Sequence, residues 1–161
     1  MLIPESLYRQ IVSVIPILCV DLLVVDAEQR LLLVKRLNEP AKGLWWVPGG
    51  RVHIGEMRAA AAVRKLYEEC GLKISGTAPI EVSTEDLILP KGDTFSHVVA
   101  TVYLIKVDSS APVVLDSQSE AAEWQSPGAW LQADLHPYVR DIIGRISNQD
   151  RASQVIEGLG L

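Results

Sequence analysis

One segment limits what this chain can become. Gly50 to Leu72 reads GRVHIGEMRAAAAVRKLYEECGL. A glycine turn opens it, and a carboxylate, Glu56, follows six residues later. From about Glu56 to Cys70 the pattern is helical, with Ala59, Val63, Leu66 and Cys70 on one stripe at about 100° per residue. Gly71 supplies the C-terminal cap. On a helical wheel Glu68 lies roughly opposite the stripe, Glu69 lies at its edge, and Lys65 falls between them. Such a helix can hold a divalent cation against phosphate oxygens. Mg²⁺ prefers oxygen ligands, keeps several waters, and is commonly bound through one or two carboxylates plus substrate phosphates. Glu69 is the first candidate ligand, because a group at the edge of a buried stripe is held firmly in a lower dielectric. Glu68 is the second. Gly49 and Gly50 can bring a backbone carbonyl to the same ion, since neither carries a Cβ. Arg64 can pair with Glu68 at i+4. Glu56 is either a ligand-side carboxylate or an anion favoured near a helix start. A solvated face explains an isolated Glu-Glu pair, but here the pair stands at fixed spacing from Gly50, Glu56, Arg64 and Gly71.

The rest of the chain alternates strands and helices. A short helix is expected from Pro4 to about Val12. Ile15 to Val25 is a largely buried strand, Asp26 to Gln29 a polar turn, and Arg30 to Arg36 a second strand. Asn38 to Gly43 is a loop, Leu44 to Val47 a short extended piece, and Pro48-Gly49-Gly50 its end. Ile80 to Leu89 and His97 to Val107 are strands joined by the turn Pro90 to Asp93, with a further short strand over Val113 to Leu115. Pro127 to Leu131 and Tyr138 to Ile146 are helical. This order predicts an α/β sandwich, and 161 residues suit one domain.

Charge narrows the partners. The net charge of -5 argues against a nucleic-acid binder. Yet Lys35, Arg36, Lys42, Arg51, Arg58, Arg64 and Lys65 fall in one third of the chain, a local basic cluster that suits a small phosphorylated ligand. No apolar run has the length of a membrane span, since Ser13, Pro16 and Asp21 interrupt Ile11 to Val25. The N-terminus lacks the basic start of a signal peptide, so a soluble, cytoplasmic protein is expected. Cys19 and Cys70 sit in apolar patterns and read as packed thiols.

The Gly50–Leu72 segment resembles the Nudix box, G-x5-E-x7-R-E-U-x-E-E-x-G-U with U a bulky aliphatic residue. Gly50, Glu56, Arg64, Leu66, Glu68, Glu69, Gly71 and Leu72 match; Lys65 stands where the family usually has Glu. The resemblance implies a single Nudix domain over residues 1–161, folded as an α/β/α sandwich with a mixed sheet. It also implies that Arg64 orients a metal-binding carboxylate, with Mg²⁺ or Mn²⁺ as cofactor.

The run from Arg36 to Val52, RLNEPAKGLWWVPGGRV, is similar to the GDP-mannose mannosyl hydrolase branch, which also lacks the Glu at the position of Lys65. That likeness, looser from about Val12 to Trp124, implies a homodimer that cuts GDP-mannose to GDP and mannose by attack at the anomeric carbon. It places Arg36 and Arg51 on the diphosphate or sugar and Asp21 on the sugar ring or the developing cation. It places Gln118 on the metal beside Gly49, Glu68 and Glu69. The branch follows this Gln with a His as general base; here Ser119 and then Glu120 follow. Glu120 or Glu123 takes the role from a shifted position, or the cut falls at phosphorus. His97 faces the pocket or is hydrogen-bonded within its strand. Other readings stay open. Arg36 can close the hairpin onto Asp26 or Glu28, Arg51 can lie on the surface, and one of Trp45 and Trp46 belongs to the core while the other can stack on a base. Trp124 and Trp130 read as packing residues. Two rivals follow: a pyrophosphohydrolase of nucleoside triphosphates or other conjugates, and a non-catalytic module in which Lys65 takes the space of a second cation.

Overall fold

The computed structural model of the chain describes residues 3–39, 41–91, 94–108 and 110–158, with backbone only at 91, 94 and 148–158. The strands are β1 (Ile17–Val25), β2 (Leu31–Arg36), β3 (Trp45–Trp46), β4 (Gly49–Arg51), β5 (Ile80–Lys91), β6 (Thr94–Lys106) and β7 (Ser119–Gln125). The helices are α1 (Glu5–Val12), α2 (Arg58–Cys70), α3 (Pro127–Trp130) and α4 (Pro137–Gly158). Residues 92 and 93 of the expected β5–β6 turn lie outside the described residues.

β1 organises the sheet. Its residues 19–25 are all buried, as expected of a strand covered on both faces. One edge pairs in parallel with β6 over the whole strand, from Ile17↔Val98 to Val25↔Lys106. The other edge is shared. β2 pairs antiparallel only at Val24↔Leu32 and Val25↔Leu31, then veers away, and β4 takes over at Cys19↔Arg51, Val20↔Gly50 and Asp21↔Gly49. β1 and β2 therefore splay into a fork, and the chain from Trp46 to Gly49 fills it. β3 pairs β2 at Val34↔Trp46 and Lys35↔Trp45.

The alternation of β1 and β2 sorts two cores. Val20, Leu22, Val24, Leu32 and Val34 pack with Ala61, Ala62, Leu66 and Cys70 of α2. Leu23, Val25, Leu31 and Leu33 pack with Trp130, Val139, Ile142 and Ile143 of α3 and α4. Each fully buried aliphatic side chain contributes about 1.5–3 kcal/mol relative to exposure. The result is the expected α/β/α sandwich around a mixed sheet.

Several local expectations fail for identifiable reasons. Residues 113–115 form no strand; the Val114 N–H bonds the Cys70 carbonyl (2.8 Å), so the segment satisfies the end of α2 instead of a strand edge. The strand on that side is β7, which runs antiparallel along β2 from Leu31↔Gln125 to Arg36↔Ser119. The Gly49-Gly50 pair, expected as a turn, instead begins strand β4 (Gly49–Arg51). In α2 the buried residues are Ala61, Ala62, Lys65, Leu66, Glu69 and Cys70, while Ala59 is exposed and Val63 only half-buried. Lys65 and Glu69 bury together because they pair, which a hydropathy stripe does not register. Gly71 caps α2 in the left-handed region (φ 66°), and its N–H bonds the Tyr67 carbonyl. Both cysteines are buried and free, and burial pushes each thiol up to about 12.

Candidate active site

The site lies in the fork, on either side of Gly49. From the α2 side, Glu69 Oε2 accepts the Gly49 N–H at 3.0 Å, and Glu69 Oε1 pairs with Lys65 Nζ at 2.7 Å. From the α4 side, the Asp21 carboxylate accepts the Tyr138 hydroxyl proton through Oδ2. A Cβ on Gly49 would collide with the Val20 carbonyl oxygen and with Asp21 Oδ1. A Cβ on Gly50 would lie 2.7 Å from Lys65 Cε. The Gly-Gly pair thus lets two buried carboxylates and one ammonium converge on β4.

Both carboxylates are held against their preference. Burial raises Asp21 to about 6, with Glu69 adding to the rise and the Tyr138 hydrogen bond and the Arg36 charge opposing it. Burial likewise raises Glu69, while Lys65 and the Gly49 N–H pull it back. The Tyr138 phenol is raised above its ordinary value by burial and by Asp21. Tyr138 itself stacks on Trp46, with ring centroids 5.5 Å apart.

A second constellation lies outside the fork. Arg64 grips Glu56 with two hydrogen bonds (Nε to Oε1 2.7 Å, Nη2 to Oε2 2.8 Å), reaches Glu68 at 3.0 Å, and donates to the Arg51 carbonyl at 3.0 Å. The His53 N–H also donates to Glu56 (2.9 Å). The Arg64 guanidinium holds the Glu56 carboxyl well down, to about 2. Glu56 is therefore the clamp that ties the loop after β4 to α2. Glu68 is half-exposed and shared between Arg64 and Lys65, the latter at 3.4 Å.

The remaining candidates divide. Arg36 ends β2 close enough for its charge to act on Asp21. It is Arg30, not Arg36, that closes the hairpin onto Asp26 (2.7 Å) and Glu28 (3.6 Å). Arg51 ends β4 with its guanidinium carbon 4.8 Å from the centre of the Tyr8 ring of α1, at a groove of about 510 Å³. Gln118 sits in the loop that the Asp116 N–H pins to the Glu69 carbonyl (3.3 Å), and its side chain donates to Asp116 at 2.8 Å. Glu120, a candidate base, is bound to Lys35 at 2.9 Å. His97 bonds Asp86 (3.0 Å) and lies five residues before Val102, the β6 partner of Asp21, so the structure does not bring it to the fork. Trp46 is core and Trp45 packs on Trp130, whose ring N–H donates to the Leu31 carbonyl.

Two participants escaped sequence reasoning. Tyr138 is 117 residues from Asp21, and only the need of a buried carboxylate for a donor hinted at it. Asp116, whose charge adds to the raising of Glu69, stood two residues before Gln118 as the available signal.

No cluster of three or more His, Cys, Asp or Glu side chains arranged for a metal ion occurs among the described residues. The donors nonetheless fit a hard cation that keeps most of its own water: carboxylate oxygens from Glu69 and Glu68, with the backbone of Gly49 beside them. The Lys65 ammonium on Glu69 already marks the position as one for positive charge.

Comparison with known proteins agrees with this architecture. The family model described as NUDIX domain matches residues 16–145. The chain is 32% identical over 142 residues to the low-salt glycan biosynthesis protein Agl8 of Haloferax volcanii, covering 85% of this chain and 86% of that protein. It is 32% identical over 100 residues to an ADP-ribose pyrophosphatase of Methanocaldococcus jannaschii, covering 61% of this chain and 56% of that one. Among solved structures, a MutT protein from Methanosarcina mazei superposes with a TM-score of 0.71 at 24% identity, over 84% of this chain and 96% of the other, and shows a common fold. With a family match across most of its length and the Gly50–Leu72 spacing laid over the fork, the chain belongs to the Nudix family.

Proposed function

We propose that the protein is a Mg²⁺-dependent Nudix hydrolase of a nucleoside diphosphate sugar, GDP-mannose or a close relative, which it cuts to the nucleoside diphosphate and free hexose. The observation that carries this reading is the pair of buried carboxylates on opposite sides of Gly49. Glu69, with Glu68, Gly49 and Gln118, marks a metal and diphosphate end; Asp21 marks a sugar end. Arg36 and Arg51 neutralise the diphosphate between them. Attack of water at the anomeric carbon breaks the bond from that carbon to the diphosphate oxygen, the electron pair leaves with the diphosphate, and the proton of the water passes to solvent. Asp21, held at Gly49 by Tyr138, stands where positive charge develops on the ring, and the arginines stand where negative charge accumulates. A bound Mg²⁺ supplies further positive charge to the leaving group. Arg64 positions Glu68 and the β4 loop and does not itself meet the substrate. The run from Arg36 to Val52 and the printed name of the Haloferax relative, which refers to glycan biosynthesis, support a sugar nucleotide.

One observation favours a second reading. Ser119 follows Gln118, Glu120 is tied to Lys35, Glu123 accepts from Gln125, and the Asp116 carboxylate beside Gln118 accepts from the backbone and side chain of Gln118 itself, so each candidate base near this loop is already engaged. A diphosphate cut at phosphorus, as the name of the Methanocaldococcus relative describes for that protein, places less demand on this loop. Turnover of GDP-mannose with Mg²⁺ in ¹⁸O-water separates the two. Label in the hexose, with GDP as co-product, is expected; label in phosphate, with GMP and hexose phosphate, overturns carbon attack.

A further inference from the structure

Each oxygen of Glu69 already holds one donor. Oε2 is bound by the N–H of Gly49, which belongs to a paired strand and cannot move away. Oε1 is bound by Lys65 Nζ at 2.7 Å, and this partner is the end of a flexible four-carbon stem. Each oxygen keeps a lone pair, but a cation at Oε1 would stand beside the ammonium and repel it, and of the two donors only the ammonium can withdraw. The side chain of Lys65 is only 11% exposed and runs over Gly50, where the absence of a Cβ leaves room for its Cε. Freed from Glu69, the ammonium stays in the fork and needs an anion, because a shielded charge without a partner is costly. Its other neighbour, Glu68 Oε2 at 3.4 Å, is already held by Arg64 at 3.0 Å. Arg64 is committed to Glu56 and to the Arg51 carbonyl and cannot exchange places with Lys65.

We infer that Lys65 is a tethered cation that competes with the divalent ion for Glu69 and transfers to the diphosphate of the substrate when that ion binds, so that metal and diphosphate bind cooperatively. The inference rests on the proposed metal and diphosphate ends of the fork and adds a coupling between them. The coupling is reciprocal: whatever factor the diphosphate adds to metal affinity, the metal adds to diphosphate affinity. It also selects against ligands that lack a diphosphate, which bring no anion to receive the ammonium.

The test is Mn²⁺ affinity, measured by electron paramagnetic resonance titration of the full chain with and without GDP as probe. Wild type, Lys65→Met, Lys65→Gln and Glu69→Gln are compared, and thermal melts show that each is folded. In wild type, GDP is expected to tighten Mn²⁺ by about tenfold. Without GDP, both neutral Lys65 variants are expected to bind Mn²⁺ about tenfold tighter than wild type, since a competing unit charge is gone. GDP is then expected to add much less. A purely structural Lys65, one that only props Glu69, gives the opposite sign, with weaker Mn²⁺ in both variants; that result, or an unchanged affinity, overturns the inference. Mn²⁺ binding that survives Glu69→Gln at wild-type strength rejects the metal end itself. Loss of binding in that variant with no change on altering Lys65 rejects the tethered cation alone.

Discussion

At Glu56, two N–H groups of Arg64 and the backbone N–H of His53 converge on a carboxylate near the surface and hold it at about 2. At Glu69, thirteen residues along the same loop–helix unit, one ammonium and one N–H meet a carboxylate that burial pushes upward. The first arrangement favours the charged form beyond what water offers. The second keeps a carboxylate where water would serve it better. Asp21, raised to about 6 across the strand from Gly49, belongs with Glu69. The clamp spends its carboxylate on fixing the loop; under the proposed function the fork's carboxylates would meet a charge that arrives with a ligand. Perturbed acids gather at functional sites, and here the direction of the shift separates the clamp from the proposed site.

The most severe way to break this comparison is to neutralise the fork. Glu69→Gln is expected to lower the rate of substrate hydrolysis about a thousandfold, the scale of removing a charge-stabilising group from a reaction centre. The same variant is expected to lose little thermal stability at pH 8, because removing a carboxylate that burial disfavours offsets leaving the Lys65 ammonium without that partner. Product release and a thermal melt on one preparation check both halves. A large loss of thermal stability with near-normal turnover would make Glu69 scaffold and erase the contrast.

Asp21 sharpens the comparison through pH. Its carboxyl is raised from 3.8 in the unfolded chain to about 6 in the fold, so folding favours the protonated form. The stabilisation this gives is present in full below about pH 4 and is lost as pH rises through about 6. Asn cannot ionise and can still accept the Tyr138 hydroxyl proton. Asp21→Asn is therefore expected to be more stable than wild type by about 2 kcal/mol at pH 8 and by little at pH 4. Denaturant unfolding at the two pH values measures it. A gain that does not depend on pH would mean that packing, not buried charge, governs this position.

What could be read ahead of the structure follows the same division. The spacing of Gly50, Glu56, Arg64, Glu69 and Gly71 is local and periodic, so the helix and its cap were legible. So were β1 and β2, whose aliphatic runs admit few alternatives. β7 was not: SEAAEWQ has no β-branched residue and becomes a strand because β2 offers it an unpaired edge. Likewise Gly49–Arg51 is extended only because β1 and β2 splay, which is a property of the sheet and not of three residues. The candidate site residues on the helix were named by spacing. Tyr138 is joined to Asp21 only by the docking of α4, and the pairing of Glu120 with Lys35 only by the register of β7 on β2. Contacts across the sandwich are tertiary facts, and no local pattern encodes them.

The mildest test falls on the clamp. Glu56 is lowered from 4.5 to about 2, so its stabilising share is present above about pH 4.5 and is lost as pH falls towards 2. Arg64 and Glu56 are partly open to water, with side chains 23% and 16% exposed, which screens the pair. Glu56→Gln is accordingly expected to cost about 1 kcal/mol at pH 7, and the penalty should fade as pH drops towards 2. Unfolding curves at pH 7 and pH 3 read the trend, while Mn²⁺ affinity reads whether the loss stays in the clamp. Because Glu56 meets Arg64 and the His53 N–H and not Lys65 or Glu69, the metal affinity should hardly move. If Glu56→Gln weakened the metal as much as Glu69→Gln does, the clamp would be part of the site, and the direction of a carboxylate's shift would no longer tell the two regions apart.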